Sequence, residues 1–211
     1  MPEIQIIPEK SALLIIDMTN AFLDKNGPVP VAGGIDLIPG LNKLREAARK
    51  KALLTIFTTM AYHEDGCDLG VERVFHPEVQ RTRTLRIGTP DVEFYRDIQS
   101  GGGDVIVVKP RYSAFIGTEL DLILRSHGID TLIIGGVLTN VCCESTAREA
   151  RMRDYKVIFL SDGTATRDIP DFGFGRIPAA EVQKYTLASI ACFFGQVLSI
   201  EQVMGKLAKE K

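Results

Sequence analysis

Short, continuous apolar runs recur along the chain and are separated by more polar segments. An apolar run of strand length, without alternation, is typical of a parallel strand that is covered on both faces of its sheet. The pattern therefore predicts buried parallel strands. The runs are Ser11 to Asp17, Leu53 to Thr59, Asp104 to Lys109, Thr131 to Gly135 and Lys156 to Leu160.

Segments in which apolar residues recur with helical spacing lie between these runs and after the last of them. Alternation of strand and helix indicates right-handed crossovers and a mainly parallel sheet between two layers of helices. The predicted fold class is three-layer α/β/α, with a doubly wound sheet of about six strands. The helical segments are Ile38 to Lys51, Thr118 to His127, Val141 to Arg153, Ala179 to Phe193 and Ile200 to Ala208.

In residues 60–90, here called the excursion, apolar residues recur with neither helical nor strand spacing. Long irregular segments in compact domains are often functional. We therefore expect the excursion to form a wall or lid of a pocket, or an oligomer contact. Together with the apolar segment Ile190 to Val197, it predicts a homo-oligomer, either a dimer or a tetramer.

The composition favours a single domain over residues 1–211, because 45% of the residues are apolar and can build a substantial core. The formal net charge of -2, with both signs dispersed, argues against nucleic acid and membrane partners. The first residues lack the features of a signal peptide. The four cysteines have neither a disulfide framework nor zinc-ribbon spacing. These features predict a cytoplasmic protein with reduced thiols.

Three chemically active side chains follow predicted strands. Asp17 ends the first strand, Lys109 ends the third, and Cys142 stands a few residues after the fourth, where a helix is predicted to begin. Ligands of open parallel sheets bind beyond the carboxyl ends of the strands, so the three side chains are expected to face one crevice. A thiol at a helix N-terminus should also have a lowered pKa, which favours the nucleophilic thiolate.

Each of these residues also has an ordinary structural explanation. An aspartate after a strand often caps a turn, and a lysine before a proline can mark a strand that leaves the core. A cysteine in apolar surroundings usually serves packing. The hypothesis of a catalytic site therefore depends on the coincidence of the three positions.

Cys142 and Cys143 are adjacent, so their side chains point about 100° apart on a helix and only one can face the crevice. Cys142 lies nearer the helix start and is the predicted nucleophile. Cys143 is assigned to packing.

The chain resembles the isochorismatase-like cysteine hydrolases over almost its whole length. The family pattern has a strand that ends in Asp-Met, a Lys before a Tyr-Ser or Ser-x-Phe segment, and Gly-Val-x-Thr-x-x-Cys-Val followed by Thr-Ala. This chain departs from it at Cys143, where Val is usual. The matching segments are Asp17-Met18, Lys109-Pro110-Arg111-Tyr112-Ser113-Ala114-Phe115 and Gly136-Val137-Leu138-Thr139-Asn140-Val141-Cys142.

The resemblance implies a catalytic triad of Cys142, Asp17 and Lys109. It also implies an oxyanion hole from the backbone amides of Leu138 and Cys142, and a cis peptide bond between Val137 and Leu138. The metal site of the nicotinamidases needs an aspartate where this chain has Ala61. No metal and no cofactor are therefore expected. True isochorismatases generally lack the nucleophilic cysteine.

Within the family, the segment after Lys109 and the residues around Cys142 look most like the ureidoacrylate and carbamoyl-amide hydrolases, which include the biuret hydrolases. For a small planar amide we expect an apolar wall from Phe22, Tyr112 and Phe115. Arg111 is a candidate anchor for a substrate carboxylate.

The predicted activity is cysteine-dependent hydrolysis of a small amide, ureide or carbamoyl compound through a thioester, with release of ammonia or an amine. A nicotinamidase-like or isochorismatase-like hydrolase of another small substrate is the alternative. Outside the hydrolases, a thiol redox sensor or a small-ligand binding module stays open, although the turn after the first strand lacks phosphate-binding glycines.

Overall fold

A computed structural model describes residues 3–209 of the chain. Its six strands form one sheet in the order β3-β2-β1-β4-β5-β6, and every neighbouring pair is parallel. This confirms the predicted α/β fold class. The strands are β1 (Ser11–Ile16), β2 (Leu54–Met60), β3 (Val105–Lys109), β4 (Thr131–Val137), β5 (Lys156–Ala165) and β6 (Gln196–Leu198).

Helices cover both faces of the sheet, because right-handed crossovers place the connections of its two halves on opposite sides. Helix α2 packs against α8, and α6 packs against the turn that follows α7. No α-helix within residues 3–209 is long and apolar enough to cross a membrane. The helices are α1 (Asn20–Leu23), α2 (Ile38–Lys50), α3 (Glu72–Phe75), α4 (Pro77–Arg81), α5 (Leu120–Ser126), α6 (Glu144–Met152), α7 (Ala179–Ser189) and α8 (Ile200–Lys209).

The central strands β1 and β4 are buried along their whole length, as their unbroken apolar sequences predict. The edge strand β3 differs, because it alternates between the core and solvent. Ile106 and Val108 are 52% and 43% exposed, whereas Val107 and Lys109 are fully buried. This alternation turns the Lys109 side chain into the protein.

The topological switch point of the sheet lies between β1 and β4. The connections that follow these two strands run to opposite sides of the sheet, which leaves a crevice between them. Gly136 allows the two strands to approach closely there. Its φ is +117°, and a Cβ atom at this position would lie only 2.0 Å from the carbonyl oxygen of Ile16. A side chain at position 136 is therefore incompatible with this crevice.

The structure corrects three details of the predicted elements. The helix predicted over Val141 to Arg153 is preceded by a π-helical turn, Thr139–Cys143, and begins as α6 only at Glu144. The apolar segment Ile190 to Val197 forms a second π-helical turn and then enters β6, the strand that the sequence did not locate. The excursion contains the short helices α3 and α4.

Candidate active site

Asp17 stands directly beyond β1, with the left-handed φ of 53°. Aspartate tolerates this conformation better than most residues. Its side chain is fully buried, and one carboxylate oxygen, Oδ1, accepts a 2.7 Å hydrogen bond from the Thr58 hydroxyl. The Asp17 amide donates to the Thr58 carbonyl at 3.1 Å. These contacts hold the carboxylate in one orientation.

Lys109 connects the carboxylate to the thiol. Its ammonium lies 2.7 Å from Asp17 Oδ2 and donates to the Cys142 sulfur at 3.3 Å. A further hydrogen bond, of 3.1 Å, goes to the Arg111 carbonyl. Burial opposes the charged form, but the attraction of Asp17 and Cys142 outweighs it, and the pKa of Lys109 is raised. The lysine is therefore a cation held between two anionic or potentially anionic groups.

Cys142 lies in the π-helical turn and is only 2% exposed. Its carbonyl accepts a 2.7 Å hydrogen bond from the Thr146 hydroxyl, one helical turn further on. Burial raises the pKa of the Cys142 thiol to about 12, against the opposing attraction of Lys109, and Asp17 raises it further. The expected lowering by a helix N-terminus is therefore wrong, because desolvation dominates at this position.

Cys143 is also fully buried, and burial raises the pKa of its thiol well above the ordinary value. Both thiols are free. The position of Cys143 agrees with its assignment to packing.

The turn before Cys142 folds around the carbonyl of Leu138, which accepts hydrogen bonds from the amides of Val141 and Cys143 at 3.2 and 3.1 Å. The peptide bond between Val137 and Leu138 is cis, which confirms that prediction. The oxyanion hole formed by the amides of Leu138 and Cys142 stays a prediction.

Arg111 is occupied by backbone contacts. Its Nη1 atom donates to the carbonyls of Asp68 and Pro110, at 2.9 and 2.6 Å. The side chain thus ties the excursion to the segment that follows β3. Binding of a substrate carboxylate by Arg111 stays a prediction.

The three aromatic residues expected at the substrate lie in different surroundings. Phe22 is 4% exposed and belongs to the main core, whereas Tyr112 is 36% exposed. Phe115 is buried, and its ring packs against Tyr155 at 5.8 Å with the guanidinium of Arg153 at 5.1 Å. These contacts account for Phe115 as a packing residue. A substrate-binding role for the three stays a prediction.

The structure adds residues that sequence reasoning missed. Thr58 pairs with Ile16 in the sheet register, which brings its hydroxyl next to Asp17. The signal was present, because a threonine in a fully covered strand needs a polar partner. Thr146 lies four residues after Cys142, the spacing at which a hydroxyl reaches back to a carbonyl. Thr58 thus holds the Asp17 carboxylate, and Thr146 holds the backbone of Cys142.

The histidines of the excursion do not form a metal site with their neighbours. Within residues 3–209, no group of three or more His, Cys, Asp or Glu side chains is placed to hold a metal ion. His76 instead lies between Glu72 and Glu78, with nitrogen-to-oxygen distances of 3.8 and 3.5 Å.

The sequence matches a known protein family over nearly its whole length. The model of the isochorismatase domain matches residues 11–202, nearly the whole chain. The chain belongs to the isochorismatase family. It is therefore a hydrolase of this class, as the sequence predicts.

Ureidoacrylate amidohydrolase RutB from Yersinia enterocolitica is 31% identical over 210 residues, covering 90% of this chain and 86% of the relative. The RutB protein of Agrobacterium fabrum is 30% identical, with coverage of 98% and 93%.

Solved structures of the family share the architecture. A cysteine hydrolase from Pseudomonas syringae pv. phaseolicola superimposes with a TM-score of 0.95 at 38% identity, covering 98% of this chain and 96% of its own. The N-carbamoylsarcosine amidase of Thermoplasma acidophilum gives 0.72 at 26% identity, with coverage of 91% and 97%.

Proposed function

We propose that this isochorismatase-family protein hydrolyses a small amide, ureide or carbamoyl compound, with Cys142 as the nucleophile. The observation that carries the proposal is the Lys109 ammonium, 2.7 Å from the Asp17 carboxylate and 3.3 Å from the Cys142 sulfur. The names of the relatives, ureidoacrylate amidohydrolase and N-carbamoylsarcosine amidase, support the substrate class.

The first half of the reaction makes the acyl-enzyme. Cys142 is a thiol at rest, so its proton passes to Asp17 as the sulfur attacks the substrate carbonyl carbon. Lys109 stabilises the negative charge on sulfur, and the amides of Leu138 and Cys142 stabilise the oxyanion. The carbon–nitrogen bond then breaks, the leaving nitrogen takes the proton from Asp17, and ammonia or an amine departs.

The second half restores the enzyme. Asp17 takes a proton from a water molecule, which attacks the thioester carbon. The carbon–sulfur bond breaks, the proton returns to sulfur, and the acid is released. No other proton carrier is needed, because Asp17 accepts and returns one proton in each half.

The burial of Cys142 imposes a condition on substrate entry. Only 2% of this residue is exposed, so the groups above the sulfur must move before a substrate reaches it. The excursion is the candidate, because Arg111 attaches it to the segment beside Lys109 through the Asp68 carbonyl.

Thiol redox sensing is the weaker hypothesis for the same residues. Redox-sensing cysteines are exposed and have low pKa values, whereas Cys142 and Cys143 are buried and the pKa of each is raised. The homo-oligomer, the cytoplasmic location and a reaction without metal stay predictions.

The experiment is an ammonia-release screen over primary amides, ureides and carbamoyl acids, with the Cys142→Ala variant as the blank. We expect release by the wild type and none by the variant, with both proteins folded by circular dichroism. Equal release by the two proteins would contradict the proposal.

A further inference from the structure

Thr146 lies between the segments that carry Lys109 and Cys142. It belongs to α6 and is fully buried. Its hydroxyl donates to the Cys142 carbonyl at 2.7 Å and accepts from the Ala114 amide at 3.0 Å. A hydroxyl has one hydrogen to donate and two lone pairs that accept, so a single oxygen atom serves both groups. Ala114 is also completely buried, and its amide therefore requires this acceptor.

A closed path of contacts connects the Thr146 hydroxyl with the Lys109 ammonium. Lys109 donates to the Arg111 carbonyl at 3.1 Å, and Arg111 lies three residues before Ala114. The path continues from the Ala114 amide through the Thr146 hydroxyl to the Cys142 carbonyl. It closes at the Cys142 sulfur, to which the same ammonium donates at 3.3 Å. The distance between ammonium and sulfur therefore depends on how firmly the Ala114 segment is held against Cys142.

A second contact attaches the same segment to α6 nearer the surface. The Ser113 hydroxyl donates to the Glu149 carboxylate, which also pairs with the Arg153 guanidinium at 2.6 Å. Glu149 lies three residues after Thr146 and thus on the same face of the helix. This outer contact keeps the segment on α6 when the Thr146 hydroxyl is removed, so we expect a local change rather than a loss of the fold.

We propose that Thr146 is a positioning residue, which holds the Lys109 ammonium against the Cys142 sulfur through the Ala114 amide. This inference rests on the proposed function. In that reaction, Lys109 stabilises the negative charge that develops on sulfur as the thiol proton passes to Asp17. An ammonium that moves away from the sulfur stabilises this charge less, because the attraction falls with distance. Loss of the bridging hydroxyl should therefore slow the chemical step and leave substrate binding unchanged.

The test compares Thr146→Val, which removes the hydroxyl and nearly keeps the volume of the side chain, with Thr146→Ser, which keeps the hydroxyl. In Thr146→Val, we expect kcat to fall at least about tenfold, because misplacement of a catalytic group is costly. KM should stay within about twofold of the wild-type value. Thr146→Ser should recover most of the lost kcat. If Thr146→Val does not fold, Thr146→Cys carries the same expectation, because a thiol is only a weak donor and acceptor.

Thr164→Val is the matched control, because Thr164 makes the same two kinds of hydrogen bond away from the triad. Its hydroxyl donates to the carbonyl of Leu160, four residues earlier, at 3.1 Å, and accepts from the Gln183 side chain at 3.1 Å. Thr164 is also buried. The control should lower the Tm about as much as Thr146→Val does, while its kcat stays at the wild-type value.

A kcat in Thr146→Val equal to that in Thr164→Val, or no recovery in Thr146→Ser, would overturn the inference and leave the proposed function standing. A rise in KM at unchanged kcat would also overturn it, because it would assign Thr146 to substrate binding. Absence of any Cys142-dependent release by the wild type would overturn both.

Discussion

The Lys109 ammonium and the Asp17 carboxylate lie 2.7 Å apart, and both side chains are completely buried. A buried ion pair seldom stabilises a fold more than apolar residues of the same volume would. Removal of one partner is different, because the other charge is then left in the interior without compensation. The pair therefore fixes the charge state of the site, and its loss should affect both stability and activity.

Asp17→Asn keeps the shape of the side chain but removes its charge. We expect the free energy of unfolding to fall by about 3–5 kcal/mol, because Lys109 loses its counter-charge. The turnover number should fall by about 10²- to 10⁴-fold, because the proposed general base is lost. Denaturant unfolding and ammonia release measure the two effects.

Asp130→Asn is the control for this variant. Asp130 pairs with Lys156 at 2.9 Å, but both side chains are about half exposed. Exposed pairs contribute about 0–1 kcal/mol, so this variant should retain stability and activity. A loss in Asp130→Asn as large as that in Asp17→Asn would show that burial of the pair is irrelevant.

Thr58→Val should lower activity, because the hydroxyl that orients Asp17 disappears while the volume of the side chain is kept. A hydrogen bond to a charged group contributes about 1.5–3 kcal/mol, which corresponds to a loss of at least about tenfold in kcat/KM. Thr59→Val is the neighbouring control, since the Thr59 hydroxyl donates to the Val92 carbonyl instead. Equal kcat/KM values in the two variants would argue against a positioning role for Thr58.

The raised pKa of Cys142 predicts an unusual pH dependence. The thiol stays protonated up to a pH of about 12, so kcat/KM should show no rising limb near the ordinary thiol pKa of about 8.5.

Iodoacetamide should modify the exposed Cys192 much faster than the buried Cys142, as peptide mass mapping would reveal. Rapid alkylation of Cys142, with an apparent pKa near that of a free thiol, would refute this account of the resting state.

The sequence predicts that Asp17, Lys109 and Cys142 meet, and the structure brings them together for a physical reason. Asp17 and Lys109 follow apolar runs that have to be strands, and the carboxyl ends of parallel strands share one edge of a sheet. Their convergence on Cys142 therefore follows from topology. The pKa of Cys142 does not, because it depends on how completely the surrounding segments exclude water, which no local pattern encodes.

The excursion and β6 illustrate the same limit. Strand β6, Gln196–Leu198, is short and follows an apolar π-helical turn, so hydrophobic periodicity does not distinguish it from a helix end. Arg111, in the segment after β3, donates to the carbonyl of Asp68 in the excursion, 43 residues earlier in the sequence. Contacts of this kind depend on the tertiary fold, so no local pattern predicts how the excursion attaches to the segment after β3.

The most direct measurement of the central claim is the mass of the enzyme during turnover. Acid quenching of the wild type with a hydrolysed substrate should give a protein heavier by the acyl group, and the extra mass should map to the peptide that contains Cys142. The adduct should disappear with hydroxylamine, which cleaves thioesters, and it should be absent from Cys142→Ala. An acyl group on another residue, or steady turnover by Cys142→Ala, would contradict the account.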